Sequence, residues 1–177
     1  MAKAISSKFF NRPTIAVAKD LLGKFLIRRS RGKNFAVMLT EVEVYDGPND
    51  LASHASRGLT PRTRIMFGEA GRFYVYFTYG MHWLLNVVTG SRGYPAAVLL
   101  RAGRATDGKI INGPARLAKY LKIDKRFNGK SASRRTGLWF EDRGIHIKPS
   151  QIIAGKRIGV DYAGKWARKP YNFRIEL

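Results

Sequence analysis

The stretch LTEVEVYDGPND, residues 39–50, contains Glu41, Glu43, Asp46 and Asp50, four of the twelve acidic residues in a chain that carries 33 Lys and Arg. No Lys or Arg falls between residues 41 and 50. The run FAVMLTEVEVY (35–45) has the composition and alternation of a strand. Successive strand residues point to opposite faces, so Val42 and Val44 share one face and Glu41, Glu43 and Tyr45 the other. The valines can enter a core, whereas the carboxylates must meet solvent, a partner or a cleft. A solvated carboxylate paired with a nearby Arg is the ordinary outcome and contributes little. On a basic surface that binds phosphates, however, clustered carboxylates oppose binding. They then need a compensating task, either activating a water as general base or stabilising positive charge on a sugar.

A second group of chemistry-bearing residues is aromatic. GRFYVYFTYGMHW (71–83) includes six Phe, Tyr or Trp. FYVYFT (73–78) and WLLNVVT (83–89) flank Tyr79-Gly80-Met81-His82, which predicts a β-hairpin with its tip at Tyr79. Phe73, Val75 and Phe77 form the expected core face, with Tyr74, Tyr76 and Thr78 opposite. A buried tyrosine is usually satisfied by one hydrogen bond. Tyr79 has little to pack on at a tip, and an exposed aromatic in a basic protein suits stacking on bases or wedging between them. The three histidines, His54, His82 and His146, form no i, i+4 pair and no zinc motif, so no catalytic metal and no cofactor is expected. His54 stands out because it follows the acidic strand in a long loop.

The elements that must position these groups read as one domain of 177 residues, long enough for a sizeable core. The hydrophobic fraction is 45%, which argues against disorder despite the charge. The chain has no cysteine, which excludes disulfides, Cys-ligated zinc and a Cys nucleophile. No secretory signal or membrane span is expected. A net charge of +21 points to a polyanion, with nucleic acid ahead of a membrane surface. TIAVAKDLL (14–22) reads as a helix stopped near Gly23, KFLIRRS (24–30) and AAVLLRAG (96–103) as strands, and GPARLAKYLKI (113–123) as a helix with Pro114 in its first turn. Residues 51–71 read as a long loop, and loops of that length in compact domains are usually functional or disordered. The fold class expected is α+β, a single domain with several antiparallel strands.

EVEVYDGPNDLASHASRGLTPRTRIMF, GRFYVYFTYGMHWLLNVV, AAVLLRAG, NGPARLAKYL and RIGVDYAGKWARKP together resemble the alkyladenine (3-methyladenine, methylpurine) DNA glycosylase family, in order and over nearly the whole chain. The resemblance implies a compact α+β fold around a curved antiparallel sheet with a protruding β-hairpin. It implies a monofunctional enzyme that flips a damaged purine out of duplex DNA and hydrolyses its N-glycosidic bond, leaving an abasic site. Glu43 matches the family's general base and Arg101 the arginine that helps hold the water. Ile158 falls where a main-chain carbonyl does the same. Tyr45, His54 and Tyr76 match the walls of the base pocket, and Asn86 the asparagine that crowds the exocyclic amine of guanine. Tyr79 matches the residue inserted into the vacated stack. Met81, beside the tip, and Met66, in the long loop, are further expected DNA contacts. The expected partner is double-stranded DNA containing damaged purines, bound by a cytoplasmic monomer of bacterial type.

Two other readings compete. In one the chain is a non-catalytic basic nucleic-acid-binding module with Glu41 and Glu43 structural. In the other it is a carbohydrate-active hydrolase using both glutamates, against which the charge and the tip aromatic argue. Glu41 has no role implied by the resemblance, and Asp46 and Asp50 read as turn residues.

Overall fold

The computed structural model describes residues 2–176. A short strand β1 (Lys3–Ala4) and a helical turn α1 (Ser7–Phe10) lead into α2 (Thr14–Leu21), which follows Pro13 and buries Val17, Ala18 and Leu21. Strands β2 (Phe25–Ser30) and β3 (Lys33–Asp46) form a hairpin closed by Arg31 and Gly32, both with positive φ (49° and 74°). Two such residues are the signature of the tight turn that matches strand twist. The chain continues through β4 (Phe73–Thr78), β5 (His82–Val88), β6 (Ala96–Ala105), β7 (Ile110–Asn112) and α3 (Pro114–Tyr120). Strands β8 (Leu138–Asp142), β9 (Ile153–Gly155) and β10 (Asn172–Arg174) complete it. No helix among the described residues is long and apolar enough to cross a membrane.

The strands join in one sheet of order β1-β8-β2-β3-β6-β5-β4, paired antiparallel throughout, with β7 on β6 and β9 on β10. This is the expected α+β architecture. The fourteen-residue β3 is its spine. β2 pairs with its first half, up to Met38, and β10 takes over the same edge at Glu41–Glu43, while β6 runs along the other edge. One face of β3, β6, β5 and β4 presents Val42, Val44, Val98, Leu100, Leu85, Val87, Phe73 and Val75, all buried in the main core. Leu21 of α2 and Leu117 of α3 enter the same core. Each fully buried aliphatic or aromatic side chain contributes about 1.5–3 kcal/mol of transfer free energy.

Several expectations need adjustment. α3 ends at Tyr120 instead of reaching 123, because Lys122 turns left-handed (φ 53°) and Ile123 N–H returns to the Ala118 carbonyl at 2.9 Å, a closure typical of helix ends. Phe77 is 46% exposed and leaves the core face. It lies near the hairpin tip, beyond the reach of the core, and packs on Trp83 with ring centroids 4.7 Å apart. The strand-like tail also contains a 3-10 segment, Asp161–Arg168. The β3–β6 ladder shifts register twice, between Leu39 and Glu41 and between Glu41 and Val42. The extra residues are Thr40 on β3 and Arg101 on β6, and the shifts cancel. Arg101 is thereby freed from ladder pairing, as bulges near functional sites commonly arrange. Next to it, a Cβ on Gly103 would meet the Met38 carbonyl oxygen at 2.4 Å, so only glycine fits.

Candidate active site

Cross-strand pairing aligns the polar face into rows. Tyr74 pairs with Asn86, Asn86 with Leu99, Leu99 with Glu43 and Glu43 with Asn172, one row across β4, β5, β6, β3 and β10. Flanking it on one side, Val88 pairs with Ala97 and Ala97 with Tyr45. On the other, Tyr76 pairs with Leu84, and Glu41 with Arg174. Directly opposed residues share a face, so the backbone register alone places Glu41, Glu43, Tyr45, Tyr74, Tyr76 and Asn86 on one surface.

Glu43 is fully buried. Its Oε1 accepts from the Ile158 amide at 2.8 Å and from Asn172 Nδ2 at 3.1 Å. Its Oε2 accepts from the Tyr45 hydroxyl at 3.1 Å and from Arg101 Nη1 at 3.3 Å. Four donors fill the lone-pair positions of a carboxylate, and this compensates its desolvation. Glu41 closes the arrangement into a ring: Asn172 Nδ2 also donates to its Oε1 at 2.7 Å, and Arg101 Nε lies 3.3 Å from that oxygen. Asn172 and Arg101 therefore each bridge both glutamates. Burial and the neighbouring Glu43 carboxylate push the Tyr45 phenol well above its ordinary pKa, so Tyr45 remains a donor.

Above this ring lies a cavity of about 340 Å³ lined by Tyr45, His54, Tyr76, Asn86, Arg101 and Ile158, among others. Its volume is within the range of small-molecule sites. The His54 and Tyr76 rings meet edge-on at 4.7 Å, and His54 Nδ1 is 3.0 Å from the Tyr74 hydroxyl. Burial, then Arg62 and Arg57, lower the His54 pKa to about 4, so its imidazole is neutral at pH 7. Burial likewise raises Tyr76. Asn86, 3% exposed, donates from Nδ2 to the Tyr74 carbonyl at 3.0 Å. Tyr79 stands at the hairpin tip, 84% exposed with φ 51°, and Met81 beside it is 67% exposed.

Three anticipated positions differ in detail. Met66 is 2% exposed, packs with Ala55, Tyr74 and Ala97, and lines the cavity floor, so it faces the pocket and not the outer surface. The contact seen at Ile158 is its amide donating to Glu43; its side chain is exposed at the mouth. Glu43 itself is covered by Tyr45, Arg101 and Ile158.

Sequence reading missed four contributors. Asn172 sits in a short tail strand with no motif to mark it. Asp50 and Arg157 form a fully buried bidentate pair at 2.5 and 2.9 Å. Arg157 also donates to the carbonyls of Val44 and Trp166 and lies over the rings of Tyr45 and Tyr171. This pair ties the segment bearing Ile158 to the turn after β3. Asp50 is a turn residue as expected, accepting from the amides of Asp46 and Ala52, but it is also this anchor. Arg62, from the long loop, sits 5.2 Å above the Tyr76 ring.

A family model described as methylpurine-DNA glycosylase (MPG) matches residues 8–177. A protein of Methanocella arvoryzae is 43% identical over 180 residues, covering 93% of this chain and 88% of its own. One from Anaeromyxobacter sp. (strain Fw109-5) is 43% identical over 174 residues, covering 97% and 89%. One from Legionella pneumophila (strain Corby) is 40% identical over 172 residues, covering 95% and 92%. All three carry the name "Putative 3-methyladenine DNA glycosylase".

Proposed function

The chain belongs to the methylpurine-DNA glycosylase family, and from that premise we propose that it removes alkylated or deaminated purines from duplex DNA. The substrate class is 3-methyladenine, 7-methylguanine, hypoxanthine and ethenoadenine. A base inside a duplex cannot reach a cavity, so it is flipped at a cost of a few kcal/mol. Phosphate contacts from the basic surface offset this cost, and Tyr79 fills the vacated stack. Tyr45, His54 and Tyr76 hold the flipped base. Arg62 already lies on the Tyr76 ring, and a cationic alkylpurine takes over that cation–π position. Asn86 crowds the exocyclic amine of normal guanine.

Hydrolysis then proceeds through a sugar with oxocarbenium character. The C1′–N bond breaks with its electron pair going to the base, which neutralises a cationic purine, whereas a neutral purine leaves as its anion and takes up a proton from solvent. Water adds to C1′ and passes a proton to Glu43. The single observation that carries this role is the donor shell of Glu43, buried directly under an aromatic cavity. Because four donors occupy it, a water can reach Glu43 only by replacing one. The Arg101 contact, at 3.3 Å the longest, is the one exchanged, and Arg101 then holds the water. Contacts in catalytic sites often reach working length only with substrate bound. Water, and not a lysine, is the nucleophile in this reading, which therefore includes no lyase step.

Incubation with methylpurine- or hypoxanthine-containing duplex tests the reading. Free base and strands that break only after alkali are expected. Tight lesion binding with no base released would instead leave a non-catalytic binding module.

A further inference from the structure

Behind the hairpin, on the side away from the base cavity, lies a groove of about 800 Å³. Trp83 forms one wall, and Lys119 and Lys122 at the end of α3 form the other, with Arg28, Arg31 and Arg126 around it. Five cations face this space. Its one carboxylate, Asp124, is held by Arg126 at 2.7 Å. Among the described residues, Arg28, Arg31, Lys119 and Lys122 form no ion pair. The Arg28 guanidinium lies over Phe127 at 4.6 Å and donates to the carbonyls of Arg29 and Gly137, and the Lys122 ammonium lies over Phe35 at 4.7 Å, contacts that hold both heads without neutralising them. Burial and then the nearby Arg126 charge lower the Arg28 pKa, so the cations repel one another and an anion would relieve them.

The backbone marks the same place. Among the described residues, three other than glycine have φ in the left-handed region: Arg31, Tyr79 and Lys122. Two of them line this groove and the third is the hairpin tip that divides it from the base cavity. Such conformations are uncommon and concentrate at functional sites.

The hairpin also sets the geometry of any duplex. Leu84 and Tyr76 line the base cavity, whereas Trp83 lines the groove, in keeping with strand alternation. A hairpin that enters a groove of duplex DNA has one phosphate backbone on each side. The flipped base comes from the strand on the cavity side. We infer that the groove behind the hairpin holds phosphates of the complementary strand through Lys119, Lys122 and Arg31. This inference rests on the reading of the chain as a duplex-DNA enzyme.

A double-mutant cycle with neutral backbone linkages tests it. Lesion duplexes carry methylphosphonates near the lesion, either on the complementary strand or on the damaged strand. The protein partner is wild type or K119A/K122A, with its fold checked by thermal melting. Removing two phosphate contacts lowers the slope of log affinity against log salt by about 2. We expect this loss in the double variant on unmodified duplex. We also expect complementary-strand neutralisation to weaken wild type while leaving K119A/K122A nearly indifferent. Damaged-strand neutralisation should weaken both proteins equally. An unchanged salt slope, no coupling to either strand, or coupling to the damaged strand instead would each overturn the assignment. Base release by wild type is scored on the same duplexes. Its absence with the cycle intact would remove the enzymatic reading and leave the groove standing.

Discussion

The two faces of strands β3, β6, β5 and β4 are built from the same backbone and differ in how they are kept dry. On one face Val42, Val98, Val87 and Phe73 are buried against other hydrocarbons. On the other, Glu43 is buried just as completely, but by hydrogen-bond donors from β6, β10, the Ile158 segment and its own strand. The apolar face gains from any well-packed neighbour. The polar face depends on specific partners, because an unmatched buried charge is costly. Stability therefore concentrates on one side of the sheet and the proposed chemistry on the other.

Glu43→Gln probes the contrast most strongly. It removes the proposed base and turns an acceptor into a donor among donors. Single-turnover excision should fall by about 10²–10⁴-fold, while binding to lesion duplex stays within a few-fold of wild type. Unchanged excision would remove Glu43 from the mechanism.

Asp50→Asn attacks the polar face through its support. Leaving Arg157 buried without its carboxylate should cost about 3–5 kcal/mol in urea unfolding. A loss below about 1 kcal/mol, the scale of an exposed pair, would show that the anchor carries little.

Leu100→Ala is the matched probe of the apolar face. It should cost about 2–5 kcal/mol of stability and leave the excision rate per folded molecule unchanged. A rate loss as large as that of Glu43→Gln would mean that the two faces are not separable.

The smallest effect concerns pH. His54 is held neutral down to about pH 4, against its ordinary 6.5. The unfolded chain takes up this proton as pH falls below 6.5 and the folded chain does not. Stability thus drops as pH falls from about 6.5 towards 4 and the contribution levels off below that. The wild-type Tm should fall more steeply than that of His54→Gln across this window. Parallel curves would place His54 in an environment no different from water.

Much of this was legible in the chain. Alternation in EVEVY and FYVYFT assigned the faces, because a strand has a side-chain period of two. Tyr79-Gly80 marked the tip, because a tight turn tolerates left-handed backbone. The long motifs carried the family. The charge balance pointed to a polyanion. Other features depended on contacts between residues far apart in the chain. Asn172 reaches Glu43 across 129 positions and Arg157 reaches Asp50 across 107, and neither pairing leaves a local pattern. The paired bulges that free Arg101 appear only once β3 and β6 are in register. The groove behind the hairpin exists because α3 ends at a left-handed Lys122 beside the β2–β3 turn. Local periodicity determined which side chains share a face, since that follows from backbone geometry. Tertiary structure alone decided which charges are buried and by whom, since desolvation and its compensation depend on partners brought together only by folding.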